Sequence, residues 1–190
     1  RYNYAGVFRC DDTNRRMRIH VGFSVDGLKW DIEEADFRLE GADPEEVPRR
    51  LTAAMPEGII IHQCYPAQRK LKELTYLNYI MNFEYSEGRP QESEPAMQEL
   101  LRRDSLVIRK KSNKAKAGYT EVDLIPLIQR FNLECQSDTL TLDAVVRAQN
   151  PGLNPELIRA AFCREYPDLA PDFVTFHRRE VLDGDGKVFR

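Results

Sequence analysis

Between Ser105 and Asp143 the chain alternates apolar and polar residues in four short runs, and each break between runs is a turn signal. Period-two alternation is the pattern of a strand with one face on a core, so this stretch limits what the flanking chain can do: it must cover that face. Leu106, Val107 and Ile108 run into Arg109, Lys110 and Lys111; Ser112, Asn113, Lys114, Lys116 and the breaker Gly118 follow. Tyr119 to Leu124 alternates again, and two more runs between Arg130 and Asp143 are split at Ser137-Asp138. The order is strand, basic loop, strand, turn, strand, strand.

The rest of the chain supplies partners for these strands. Tyr2–Phe8 reads as a strand, Asp11–Arg16 as a turn, and Met17–Val25 as a strand with Met17, Ile19, Val21, Phe23 and Val25 in phase. Asp26-Gly27 reads as a turn and Glu34–Glu40 as a short strand. A helix is expected next, with Asp43 as N-cap, Pro44 at its first position and Glu46 closing a capping box. Pro56 and Gly58 stop it, and Ile59–Tyr65 reads as a buried strand. Strand, strand, helix, strand is half of a ferredoxin-like unit. Further on, the patterns predict a helix over Gln68–Leu77, a strand over Tyr79–Tyr85, a loop from Glu87 to Pro95 and a helix from Pro95 to Arg103. Asn154-Pro155-Glu156 opens a last helix, and Phe173–Leu182 pairs with Lys187–Phe189 around Asp183-Gly184-Asp185-Gly186. The expected fold is α+β, with mostly antiparallel sheets and helices on one face. A ferredoxin-like lobe over residues 1–66 precedes a second α+β lobe over 67–190 that carries the basic hairpin.

Composition narrows the function classes. With 190 residues the chain can bury roughly 70% of its unfolded surface, so it needs no staple. Charged residues make up 31% of it and the net charge is −3, which excludes a generally basic nucleic-acid binder and leaves only a local patch for such contacts. Cys10, Cys64, Cys135 and Cys163 are far apart, so no zinc or iron–sulfur site made of neighbouring thiols is expected. They read as reduced, mostly core thiols, in keeping with a cytoplasmic protein. No apolar run approaches the ~20 residues of a membrane span, and Arg-Tyr-Asn-Tyr at the start carries no signal-peptide pattern.

Arg109, Lys110, Lys111, Lys114 and Lys116 form the main candidate site, a basic hairpin suited to gripping RNA phosphates, with Tyr119 placed to stack on a base. The competing and slightly favoured reading is a solvated tip whose lysines blunt an edge strand. Glu121 and Asp123 share a strand face and read as partners for those lysines rather than as an acid–base pair. Asp183–Gly186 reads as a turn, not a calcium loop, because no bidentate glutamate follows at the required spacing. His20, His62 and His177 are scattered on separate strands and suggest no triad. Trp30, read as lying in a loop, is either an anchor for a partner protein or a cap on the sheet edge. No phosphate-binding glycine loop is present, and no cofactor or metal is expected.

Three local patterns carry a family resemblance: Met55-Pro56-Glu57-Gly58-Ile59, the run from Lys116 through Glu121-Val122-Asp123 to Ile128, and Asn154-Pro155-Glu156-Leu157 followed by Arg178-Arg179-Glu180. In this order, from about Gly27 onward, the chain resembles the radical SAM-linked protein family, a bacterial domain encoded beside or fused to a cobalamin-binding-type radical SAM protein. Two departures stand out. The family's polar stretch and arginine-rich helix have no counterpart between the first two strands, so the first lobe reads as incomplete between residues 10 and 28. Thr120 stands where the family tends to have lysine. The chain lacks the C-x-x-x-C-x-x-C cluster signature, so it is not itself the radical SAM enzyme. The resemblance implies a non-catalytic partner of such an enzyme that binds or presents its substrate, with RNA the substrate first expected. Two alternatives stay open: an enzyme whose site lies in the N-terminal lobe around His20, and a protein-interaction module using Trp30 and Phe23.

Overall fold

The computed structural model describes residues 16–25, 28–38, 43, 45–55, 59–66, 69–111, 118–149 and 151–189. The expected Tyr2–Phe8 strand, nearly all of the Asp11–Arg16 turn, the Asp26-Gly27 turn, and Pro44, Pro56 and Gly58 lie outside them. Most of the 10–28 region raised by the resemblance also falls there or rests on undescribed side chains.

The fold is α+β. Nine strands are described: β1 (Arg16–Val25), β2 (Leu28–Arg38), β3 (Ile59–Pro66), β4 (Tyr76–Glu84), β5 (Val107–Lys111), β6 (Tyr119–Asp123), β7 (Ile128–Cys135), β8 (Thr139–Arg147) and β9 (Phe173–Leu182). Three helices accompany them: α1 (Val47–Ala54), α2 (Ser93–Leu101) and α3 (Glu156–Glu165). Seven strands form one sheet in the order β3-β1-β2-β9-β4-β8-β7, and β5 and β6 form a separate two-stranded ribbon. Strands from either side of residue 66 therefore share a sheet. The junction is a short parallel pairing of β2 with β9, at Lys29 with His177 and Trp30 with Arg178; the other described pairings are antiparallel.

Alternation decides which face is covered. Met81 and Phe83 on β4 and Leu140, Leu142, Ala144 and Val146 on β8 point to one side, where α2 brings Met97 and Leu100 and α3 brings Ile158, Ala161 and Phe162. These side chains are essentially inaccessible to water. The Phe162 ring meets Phe83 edge-on, centroids 5.9 Å apart, and Tyr166 at 5.6 Å, geometries that aromatic quadrupoles favour. The opposite phase of the same strands is polar and carries no described helix.

Several elements differ from the sequence reading. Helix α1 starts at Val47, because Asp43 closes a turn instead of capping the helix. Its Oδ1 accepts the Glu45 N–H at 3.0 Å, and its carbonyl accepts from Glu46. Pro48 then occupies the first turn, where a missing N–H costs nothing. The segment over Gln68–Leu77 holds only a 3-10 turn, Leu71–Glu73. The three-residue leucine spacing is cut short because Thr75 N–H bonds the Leu182 carbonyl and Tyr76 starts β4. Strand β3 is a sheet edge rather than buried: Ile60 is 48% exposed beside Ile61 at 4%. Helix α1 lies along it, and Thr52 Oγ1 accepts the Ile61 N–H. Trp30 sits within β2, paired with Phe23 on β1 and Arg178 on β9, so it is neither in a loop nor at an edge. Cys135 is exposed, its thiol donating to Glu94 at 3.0 Å, and Cys64, Cys135 and Cys163 are free thiols.

The Asp183–Gly186 segment is a turn. Asp183 Oδ1 accepts the N–H groups of Asp185 and Lys187, and Oδ2 takes the Arg69 guanidinium at 2.9 Å. Gly186 has φ +77°, a conformation costly for a residue with a Cβ. The turn brings Phe189, fully buried, onto Val181 and Leu74.

Candidate functional site

The ribbon β5–β6 is held at its base. Leu106, Ile108 and Leu124 enter the core shared with α2 and α3. Leu124 N–H bonds the Leu106 carbonyl at 3.0 Å, and the Asp123 carboxylate accepts the N–H groups of Leu106 and Ile125 at 2.8 and 3.2 Å. The Leu106 amide is the main reason the Asp123 carboxyl is held below its ordinary range. Asp123 is thus a fastener of backbone.

Antiparallel register places Arg109 opposite Glu121, and Lys111 opposite Tyr119. Arg109, Tyr119 and Glu121 share the outer face, while Ile108 and Val122 face the core. The Arg109 guanidinium lies 4.7 Å from the centroid of the Tyr119 ring, and its Nε stands 3.4 Å from Glu121 Oε1. Glu121 therefore pairs with the arginine. Tyr119 is 42% exposed, with its ring shared between the guanidinium and water. Lys110 pairs in register with Thr120. Lys114 and Lys116 belong to 112–117, outside the described residues. The structure thus brings Arg109 and Tyr119 into contact, and Trp30 lies in the other sheet.

A second polar surface was not read from the sequence. On the face of the large sheet opposite α2 and α3, Ile80 of β4 lies between Asp143 of β8 and His177 of β9. Glu134 of β7 pairs with Thr141. The β4–β9 register slips beside Tyr79, so that Arg178 pairs with Tyr79 and Glu180 with Asn78, leaving Arg179 as the extra residue. Such a bulge re-aims side chains: Arg178 lies 5.9 Å over the Tyr79 ring, while Arg179 lines the open face. Ile80, Glu134, Thr141, Asp143, His177 and Arg179 border a bowl of about 380 Å³. Its rim is fixed by a side-chain ladder. Asn78 donates to Asp143 Oδ1 at 2.6 Å, Thr141 to Asn82 Oδ1 at 3.0 Å, and Asn82 to Thr175 Oγ1 at 3.2 Å. The signal was present in the polar phase of β4 and β8, but strand order alone sets these residues side by side. Among the described residues, no group of three or more His, Cys, Asp or Glu side chains is arranged to hold a metal ion. The His20 site expected for an N-terminal enzyme rests on side chains outside the described set.

Sheet, covering helices and charged ribbon define an α+β protein with two exposed polar surfaces. The chain belongs to the DUF2344 family, uncharacterized protein conserved in bacteria, whose profile matches residues 16–155. A 40-residue segment is 50% identical to the β-1,4-mannooligosaccharide phosphorylase of Ruminococcus albus, over 21% of this chain and 12% of that enzyme. So short an overlap carries no activity across. Among the described residues no helix is long and apolar enough to cross a membrane.

Proposed function

We propose that this chain is a non-catalytic partner of a radical SAM enzyme, and that it holds or presents RNA on the β5–β6 ribbon. The observation that carries the RNA part is the Arg109–Tyr119 stack on the ribbon's exposed face. A guanidinium spread on a ring leaves its N–H edges for phosphate oxygens, and the ring's outer face is a platform for a base. Arg109, Lys110, Lys111, Lys114 and Lys116 put five positive charges into eight consecutive residues of the sequence that include that arginine, enough for binding that depends steeply on salt. The core-anchored base supports the same reading, because it holds the stack on a rigid mount. The enzyme partnership rests on the family resemblance in the motifs around Met55, Glu121 and Asn154.

The test is filter retention of a single-stranded RNA by the full chain across a salt series. Combined Lys110→Glu, Lys111→Glu and Lys114→Glu substitutions should abolish retention at moderate salt. Absence of measurable binding by the unaltered chain at low salt would refute the RNA reading. Affinity capture from the native cells, without recovery of a radical SAM protein, would refute the partnership.

A further inference from the structure

We infer that the bowl on the sheet face opposite α2 and α3 is a binding site for a small zwitterion, a molecule with an amine at one end, an anionic carboxylate or phosphate at the other, and an apolar middle. The argument is the placement of charge. Along β7 and β8 the bowl offers Glu134 and Asp143; along β9 it offers Arg179, next to His177, which is itself held by another contact; on β4 between them stands Ile80. Asp143 and His177 both face Ile80 in register. Two strand spacings, about 10 Å, therefore separate their backbones. One wall is acidic, the other basic, and the floor is an aliphatic side chain.

The walls are built to keep their charges apart. Asn78 holds Oδ1 of Asp143, which lines the bowl. Among the described residues, neither Glu134 nor Arg179 is drawn into an ion pair across the bowl. Arg179 follows His177 by two positions on β9 and so lines the same face. A ligand with only one charge would satisfy one wall and leave the other to water. A ligand with both ends would engage a guanidinium on one side and a carboxylate on the other, the stronger kind of hydrogen bond at each. A cavity of about 380 Å³ lies at the small end of the range of ligand pockets and fits a molecule of amino-acid size.

The probe is 6-aminohexanoate, whose methylene chain can lie over Ile80, with hexanoate and pentylamine as single-charge controls. Titration of the isotope-labelled full chain, followed by amide chemical shifts, should give saturable shifts at Ile80, Thr141, Asp143 and His177 with the zwitterion. Each control should bind about tenfold more weakly, the loss expected for one charge-assisted contact. Arg179→Ala should weaken the zwitterion and hexanoate but not pentylamine. Glu134→Gln should weaken the zwitterion and pentylamine but not hexanoate. Both positions are exposed, so neither substitution threatens folding. The inference fails if the zwitterion shifts no bowl residue, if it binds no better than the controls, or if both substitutions leave it unchanged.

Discussion

The two halves of the Ser105–Asp143 stretch meet the same core and end up with opposite properties. β7 and β8 join a sheet backed by two helices, and β8 buries Leu140, Leu142, Ala144 and Val146 against them. β5 and β6 have no other described strand beside them, and Leu106, Ile108 and Leu124 bring their base into that core. A two-stranded ribbon is marginal alone in water, so its order must come from the base. The contrast teaches that alternation predicts a strand in both places, but only the number of covered neighbours decides whether the strand is structure or display.

The largest expected effect lies on the sheet side. Phe162→Ala removes the ring that meets Phe83 and Tyr166 and should cost ~3–5 kcal/mol of global stability in urea unfolding. A cost below about 1 kcal/mol would mean the helix-backed half is not the core described. Next, Leu124→Ala at the ribbon's base should cost about 2–5 kcal/mol, and amide exchange in 107–111 and 119–123 should accelerate more than in β8. Equal acceleration in both would dissolve the distinction drawn here.

Smaller effects sharpen the comparison through charge. Lys187 N–H and then Arg69 hold the Asp183 carboxyl below its ordinary value, and in the ribbon Leu106 N–H does the same for Asp123. A carboxyl whose folded value lies below its unfolded value stabilises the fold above the unfolded value, near pH 4, and loses that contribution as pH falls through the folded one. Asp183→Asn should therefore destabilise at neutral pH, and the gap from the unaltered protein should close below about pH 4 in thermal unfolding. A gap that persists into strong acid would assign its effect to packing. Smallest of all, Glu121→Gln should change stability by no more than about 0.5 kcal/mol, because the Arg109 pair is exposed. The same change should raise any affinity of the ribbon for polyanions by freeing the guanidinium.

The strand content of the 105–143 stretch was legible because Tyr119–Leu124 and Thr139–Arg147 alternate strictly. Helix α2 was legible from the spacing of Met97, Leu100 and Leu101. The 68–77 segment was misread because a three-residue leucine spacing fits one helical turn and a strand approach alike, and pairing to Leu182 chose the latter. Arg109 and Tyr119 were legible as a site from local charge and an aromatic. The bowl was not, since Glu134, Asp143, His177 and Arg179 come from three strands separated by up to 45 positions.

The sequence by itself determined that this is an α+β chain with a basic hairpin between two apolar anchors, because side-chain period and turn chemistry act over a few residues. Only the tertiary structure decided that β9 slips in beside β2 and β4, that Trp30 lies inside the sheet, and that acids and bases face each other over Ile80. Those are matters of strand order and register, which burial of the whole sheet selects and no local pattern encodes.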